Sequence, residues 1–321
     1  MTALGKHTRR WTCSDPVEGR DWAEWDAEHP YIPVGDKSGA GHTFPTSSGS
    51  GTVWVGGHGV ASIKDPDLQV RVKALQEGDN PLGHIDLHGV HPDAQEGCVR
   101  SLEAFHGQYP DIKVDVQTKP ELNIGGIFGD QTAYASCRDM AAAGARGEST
   151  ITLNAQYFGD PAVMTKSYAD CVNSGFHCAG TGTATSEDIK DPKYGAHVTD
   201  SGNMVTPESF QSGVTIATAQ AITDHELGHA LGNAVGGEIT ESDAINRAMD
   251  SLKESGAHAG LYGSSVLSYP DKINAAMEAV SDYSKSSARE FVAEARAQSL
   301  GTKPTPESTA IMNEMNKAYA R

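Results

Sequence analysis

The sequence lacks a hydrophobic run long enough to span a membrane. Hydrophobic residues make up 38% of the 321-residue chain, and none of its stretches approaches the roughly 20 apolar residues that a span requires. No apolar segment follows the basic residues near the N-terminus, so we expect no secretory signal. These absences predict a protein without a membrane partner that is not exported by a standard signal route.

Positive charge is also scarce. The chain has 25 Lys and Arg residues against 42 Asp and Glu residues, and its formal net charge is −17. Proteins bind nucleic acids and anionic membranes mainly through clustered positive charge. The charge balance therefore argues against a nucleic-acid partner.

Cysteine is rare, and its pattern is not that of a disulfide framework. The chain has five cysteines, an odd number without a CxxC pair, which favours a reduced compartment. One bridge, between Cys171 and Cys178, is left open by their spacing.

The chain divides into three parts by composition and by the periodicity of its apolar residues. Residues 1–75 hold all the tryptophans but no long periodic segment, so we assign them as a loop-rich N-terminal extension. Residues 76–302 are assigned to one domain. Residues 303–321, around Pro304 and Pro306, are expected to form a polar C-terminal tail.

Within the domain, strands are predicted before most of the helices, an order typical of the α+β class. Apolar spacing predicts a helix that starts at Pro92, and alternation predicts strands at IKVDVQT and STITLN, with a third strand in 125–137. A long helix is predicted over 209–233, with Gly232 and Gly236 as stop signals. Further helices are predicted over 160–173, 245–255, 273–284 and 287–298.

The long predicted helix carries the stretch TDHELGHALGNAV, residues 223–235. His225 and His229 are four residues apart, so both imidazoles lie on one helix face and can converge on one ion. Catalytic zinc takes three protein ligands and keeps a fourth position for water. Glu226 points into the same cleft, where it can take a proton from that water and pass it to the leaving amine.

The third ligand is not given by this motif. The extended form H-E-x-x-H-x-x-G-x-x-H requires a third histidine after Gly232, but position 235 is a valine, which excludes the simple metzincin pattern. A glutamate on a later helix is the usual alternative. Glu238 and Glu241 are candidates, although they lie close to the end of the metal helix and have little chain in which to fold back.

The segment SDYSKSSAREFVAEA, residues 281–295, carries a family resemblance. HELGH followed downstream by SDY, six further residues and E-FVAEA resembles the gluzincin arrangement of thermolysin and of the anthrax lethal factor type. It is similar above all to the zincin-like metallopeptidase domains of minor head and other virion proteins of tailed phages. The resemblance covers about residues 90–300.

The resemblance implies a role for each matching residue. Glu290 is expected to be the third zinc ligand, and Glu294 the carboxylate that orients a ligand histidine. Tyr283 is expected to stabilise the oxyanion through its phenol. The implied fold is a zincin-like α+β fold with a small mixed sheet, a central HExxH helix and a helical C-terminal part.

The function implied is zinc-dependent hydrolysis of a protein or peptide substrate. The resemblance places the protein in a virion or in the host cytoplasm, with residues 1–75 as the expected attachment to other virion proteins. Two alternatives stay open: a structural virion protein that keeps the fold without turnover, and an injected toxin or effector peptidase. An intact Glu226 favours turnover over a structural role.

Two further segments belong to the resemblance. STITLNAQYF resembles the edge strand that lines the substrate cleft of zincins, and GFHCAGT is similar to a segment of the phage family. His177 in GFHCAGT has no partner at metal-ligand spacing, so a structural or loop role is expected. His84 and His88, with Asp86 between them, are expected in a polar loop leading into a helix rather than in a second metal site.

Overall fold

The computed structural model describes most of the domain but little of the N-terminal extension. The described residues are 54–55, 58–59, 63–126, 129–140, 148–178, 180, 197–198, 204–205, 207–256, 259–265, 267–301 and 304–321. Most of the extension predicted over 1–75 lies outside them.

Helices make up most of the described chain. They are α1 (Pro66–Glu77), α2 (Pro92–Gln108), α3 (Ala155–Phe158), α4 (Pro161–Asn173), α5 (Pro207–Val235), α6 (Glu238–Glu254), α7 (Ala259–Tyr262), α8 (Tyr269–Val280), α9 (Ala288–Ser299) and α10 (Pro306–Tyr319), with a 3-10 turn at Tyr283–Ser286 between α8 and α9. No helix among the described residues is long and apolar enough to cross a bilayer.

The strands form one three-stranded sheet and separate short pairs. The strands are β1 (Trp54–Val55), β2 (His58–Gly59), β3 (Lys113–Lys119), β4 (Asn123–Gly126), β5 (Gly129–Thr132), β6 (Ala135–Asp139), β7 (Glu148–Asn154), β8 (His197–Val198) and β9 (Met204–Val205). β7 runs parallel to β3 and antiparallel to β6, while β1–β2, β4–β5 and β8–β9 pair as hairpins. The α+β class is confirmed.

The strand β7 is not at the edge of its sheet, as the resemblance implied, but at its centre between β3 and β6. Its side chains from Ile151 to Asn154 are buried on both faces, which is typical of a central strand rather than of an edge. The edge next to α5 is β6, which packs against that helix.

Helix α5 lies at the centre of the domain, between α2 and α9 and against β6 and β7. The backbones of α2 and α5 approach closely at Gly97, where a Cβ would lie 2.8 Å from the Cβ of Ala219. Arg296 of α9 is buried with its guanidinium 4.9 Å from the ring of Phe105 on α2 and 3.8 Å from Asp224 of α5. These contacts tie the three helices together.

The long helix runs past the first of its predicted stop signals. α5 continues through Gly232 and ends at Val235. The turn comes at Gly236 and Gly237, whose φ angles are 120° and 68°, in a region that side chains other than glycine rarely adopt. Because α6 begins immediately afterwards at Glu238, the chain folds back along α5.

The predicted polar tail is wrong, because residues 306–319 form helix α10. Pro306 is in its first turn and Thr305 caps it with a capping box, so the proline starts a helix rather than preventing one. Ile311 and Met315 are fully buried, and α10 packs on α6 and α9.

The boundary predicted at residue 75 also falls inside a packed helix. α1 spans this position, and its Leu68, Val72 and Leu75 are buried in the same hydrophobic core as the domain. The core therefore includes residues on the N-terminal side of the predicted boundary.

The open question of the Cys171–Cys178 bridge is settled by the thiols. Cys178 is free, as are Cys98 and Cys137, so no bond joins Cys178 to Cys171.

Candidate metal centre

His225 and His229 lie on the buried face of α5. Their ring centroids are 4.9 Å apart and the rings are nearly perpendicular. Their relative exposures are 9% and 8%. Helical spacing alone brings the two rings together, as the sequence predicted.

Helix α9 can reach this face because α5 carries a glycine between the two histidines. A Cβ on Gly228 would lie 2.6 Å from the Cα of Ala293, so a larger residue would push the two helices apart. The close approach brings the N-terminal half of α9 over the histidines. Glu290 stands one turn before Ala293, and Glu294 follows it, so both carboxylates face α5.

The three predicted ligands converge on one point. Oε2 of Glu290 lies 3.1 Å from Nε2 of His225 and 3.3 Å from Nε2 of His229, and the three ligand atoms lie within 4.8 Å of one another. Oε2 is buried, yet it has no partner in hydrogen-bond geometry among the described residues. The three atoms therefore face a common centre rather than each other.

The separations fit a tetrahedral ion. Two ligand atoms that each bind zinc at 2.0–2.1 Å with a tetrahedral angle lie about 3.3 Å apart. Two imidazole nitrogens and one carboxylate oxygen are a donor set that suits zinc and other first-row transition metals. The residues present thus fit a divalent metal ion and leave a further coordination position open.

The carboxylate of Glu290 is held in its charged form. Burial raises its pKa, but the close contacts with His225 and His229, together with their charges, outweigh burial and lower the pKa well below its usual value. The two histidines must be neutral to bind a metal ion, so this lowering of the Glu290 pKa belongs to the metal-free site.

Glu294 contacts the other ring nitrogen of His225, Nδ1, whereas Glu290 contacts Nε2. Oε1 of Glu294 lies 2.9 Å from Nδ1 of His225, while its Oε2 accepts a 2.7 Å hydrogen bond from the backbone N–H of Cys178. Burial raises the pKa of Glu294, but the charges of His177 and His225 outweigh it and hold that pKa well below the usual range. A charged carboxylate at this position orients the ring and strengthens it as a ligand.

His177 is the residue that sequence reasoning missed. Its Nδ1 lies 2.9 Å from Oε1 of Glu294, the oxygen that also faces His225. Its ring stacks on Tyr168 with a 5.5 Å centroid separation. Because 117 residues separate His177 from Glu294, no local spacing could have indicated the contact.

Two backbone hydrogen bonds place His177 beside the 3-10 turn. The N–H of Asp282 donates to the carbonyl of Gly175 and the N–H of Tyr283 donates to that of Phe176. The ring of Tyr283 lies 5.2 Å from that of His177 and 5.9 Å from that of His225. The segment around His177 thus supports the predicted oxyanion donor as well as Glu294.

The Tyr283 phenol stays protonated in this setting. Burial, followed by the negative charges of Glu290, Glu226 and Glu294, raises its pKa far above the usual value. A protonated phenol can donate a hydrogen bond to a developing negative charge, which is the predicted role.

Glu226 is 6% exposed, and its Oε2 has no hydrogen-bond partner among the described residues. Burial is the largest influence on its pKa and raises it, against the charges of His225 and His229. An acid with a raised pKa is better matched to proton transfer near neutral pH. The Oε2 atom is therefore not engaged by another described group.

The two other candidate ligands differ in burial. Glu238 is exposed. Glu241 folds back and is fully buried against α5, which corrects the expectation that it has too little chain to do so. Neither belongs to the group of converging ligand atoms, which is the one metal-binding group of histidine, cysteine and acidic residues found in the part of the chain that the structure describes. His84 and His88 form no second group there.

Comparison with protein-family models, curated proteins and solved structures finds no match.

Replacing His177 by alanine is expected to weaken metal binding while leaving the three ligand atoms in place. Without His177, Glu294 loses one of the groups that hold Oε1 toward His225, so affinity should fall by up to about 10-fold, the lower end for outer-shell partners. Competition with a chromophoric chelator measures the affinity. His84→Ala, an exposed histidine outside the site, is the matched control. Equal affinities for His177→Ala and wild type would contradict this role.

Proposed function

We propose that the protein is a zinc-dependent metallopeptidase of the gluzincin type with a zincin-like fold. The observation that carries the proposal is the convergence of Glu290 with His225 and His229 at separations that fit a tetrahedral ion. An uncommitted, buried Glu226 beside that point supports turnover rather than a purely structural site.

The residues of the site divide the chemistry between them. His225, His229 and Glu290 would hold the metal. A bound zinc ion would lower the pKa of a water molecule and polarise the scissile carbonyl. Glu226 takes the proton from the attacking water and passes it to the departing amine. Tyr283 donates its O–H to the oxygen on which negative charge develops, while Glu294 and His177 keep His225 in orientation.

The substrate is expected to bind as an extended strand along β6. This strand is at the edge of its sheet and packs on α5, and no strand among the described residues pairs with its outer side. Main-chain hydrogen bonds to such an edge bind a peptide with little dependence on its sequence. A peptide bound in this way would present its scissile bond to the site on α5. The virion setting stays a prediction of the resemblance.

Hydrolysis by the full chain is expected to depend on metal. Incubation with a mixture of unstructured peptides should yield defined cleavage sites by mass spectrometry. A zinc chelator should abolish cleavage, and added zinc should restore it, because the ligands themselves are untouched. A protein that contains no zinc after purification and refolding with metal would contradict the proposal. Zinc without cleavage of any peptide would favour the structural virion protein instead.

A further inference from the structure

The carboxylate of Glu241 lies outside the group of converging ligand atoms. The residue is 0% exposed, and neither Oε1 nor Oε2 has a hydrogen-bond partner among the described residues. A buried carboxylate without a partner is destabilising, because burial removes its hydration and no contact replaces it. Such a group requires an explanation other than stability.

Its position is set by Gly232. A Cβ on Gly232 would overlap Oε1 of Glu241, so the carboxylate occupies the space that a side chain on α5 would fill. Gly232 is three residues after His229 and therefore lies on the same helix face, one turn further on. The missing side chain gives Glu241 direct access to the metal-binding face of α5.

The Nδ1 atom of His229 lacks a partner. It is buried and has no hydrogen-bond partner in the part of the chain that the structure describes. A metal-ligating histidine nearly always donates its second N–H to a carboxylate, a carbonyl or a water. Glu294 is placed to do this for His225, but it does not face His229.

The charges around Glu241 agree with this pairing. Burial raises its pKa, Arg289 and then His229 lower it, and Glu238 and Glu290 raise it. His229 and Glu241 are thus within electrostatic range of each other. The dipole of α6 also favours a negative charge in its first turn, but exposed Glu238 already supplies one, so the dipole does not explain why Glu241 is buried.

In the metal-free structure the two groups are not bonded to each other. We infer that Glu241 is the positioning residue of His229, that its carboxylate accepts the Nδ1–H of that ring when a metal ion is bound, and that Gly232 is present to admit it. The two ligand histidines are then each backed by a separate carboxylate, Glu294 from α9 and Glu241 from α6. This inference rests on the proposed metal site.

Two measurements on the full chain test it together. Zinc affinity is measured by competition with a chromophoric chelator, and the stability of the metal-free protein is measured by thermal unfolding. Glu241→Ala should lower zinc affinity by about 10–100-fold, the range for loss of an outer-shell partner. The metal-free protein should be as stable as wild type or more stable, because an unpartnered buried carboxylate is removed.

Gly232→Ala should produce the same loss of affinity without touching the carboxylate itself, since its Cβ displaces Glu241. The double variant should be no weaker than either single one, because both changes remove one contact. Gly213→Ala on the same helix, where a Cβ meets nothing within 4 Å, is the matched control. Glu307→Ala, which removes a buried glutamate bonded to Tyr262, should lower stability and leave zinc affinity unchanged.

The outcomes separate this inference from the proposed function. A wild-type protein that binds no zinc would overturn both. Zinc binding that is unchanged in Glu241→Ala would overturn the inference alone. Loss of affinity that is accompanied by lower stability of the metal-free protein would assign Glu241 a structural role and overturn it too. So would recovery of affinity when Arg289→Met is added to Glu241→Ala, because Glu241 would then act by neutralising Arg289.

Discussion

Zinc content is expected to fall from about one ion per chain in the wild type to nearly none in Glu290→Ala. The variant removes the only anionic atom among the three that converge, and the two remaining imidazoles cannot complete a catalytic zinc site. The loss of zinc affinity should exceed the roughly 10–100-fold change that is expected when a residue hydrogen-bonded to a ligand is removed. Elemental analysis of the purified proteins measures it.

The matched control for this variant is Glu238→Ala. Glu238 is an exposed glutamate on α6, and it was a competing ligand candidate from its position after the metal helix. Its replacement should leave zinc content at the wild-type level. Zinc retained by Glu290→Ala, or lost from Glu238→Ala, would show that the third ligand has been misassigned.

Peptide hydrolysis is expected to be lost in Glu226→Gln while the metal is kept. Glutamine has nearly the same shape as glutamate, but its amide cannot take a proton from water. Removal of a general base typically costs about 10²–10⁴ in rate. Because Glu226 lies outside the group of converging ligand atoms, zinc content should equal that of the wild type. Initial rates on a peptide that the wild type cleaves measure the effect.

Glu238→Gln makes the same chemical change at an exposed position and should leave the rate unchanged. A rate in Glu226→Gln equal to that of the wild type would mean that another group is the base, or that a contaminating peptidase is responsible. Loss of zinc from Glu226→Gln would instead place Glu226 among the ligands.

Most of the elements around the site could be predicted, because their signals are local. Apolar periodicity indicated α2 and α5, and alternation indicated β3 and β7. The prediction failed where a local signal had two meanings. Pro306 favours an irregular tail because proline breaks helices, but a proline in the first turn of a capped helix is equally well placed.

The edge of the sheet was misassigned for a different reason. β7 was expected at the edge, but it is at the centre, because β6 pairs with it from one side and β3 from the other. Which strand ends up outermost depends on pairing between distant segments. The pattern within a single strand indicates only which faces are buried.

The amino-acid sequence by itself determined that His225, Glu226 and His229 share one helix, because helix geometry acts within a single turn. Its resemblance to known metallopeptidases indicated Glu290, Glu294 and Tyr283. Only the tertiary structure brought His177 to Glu294 and buried Glu241 beside Gly232. These contacts arise at two crossings of the chain, where the segment after α4 packs on α9 and where α5 reverses into α6. Spacing along the sequence carries no record of which side chains meet at such a crossing.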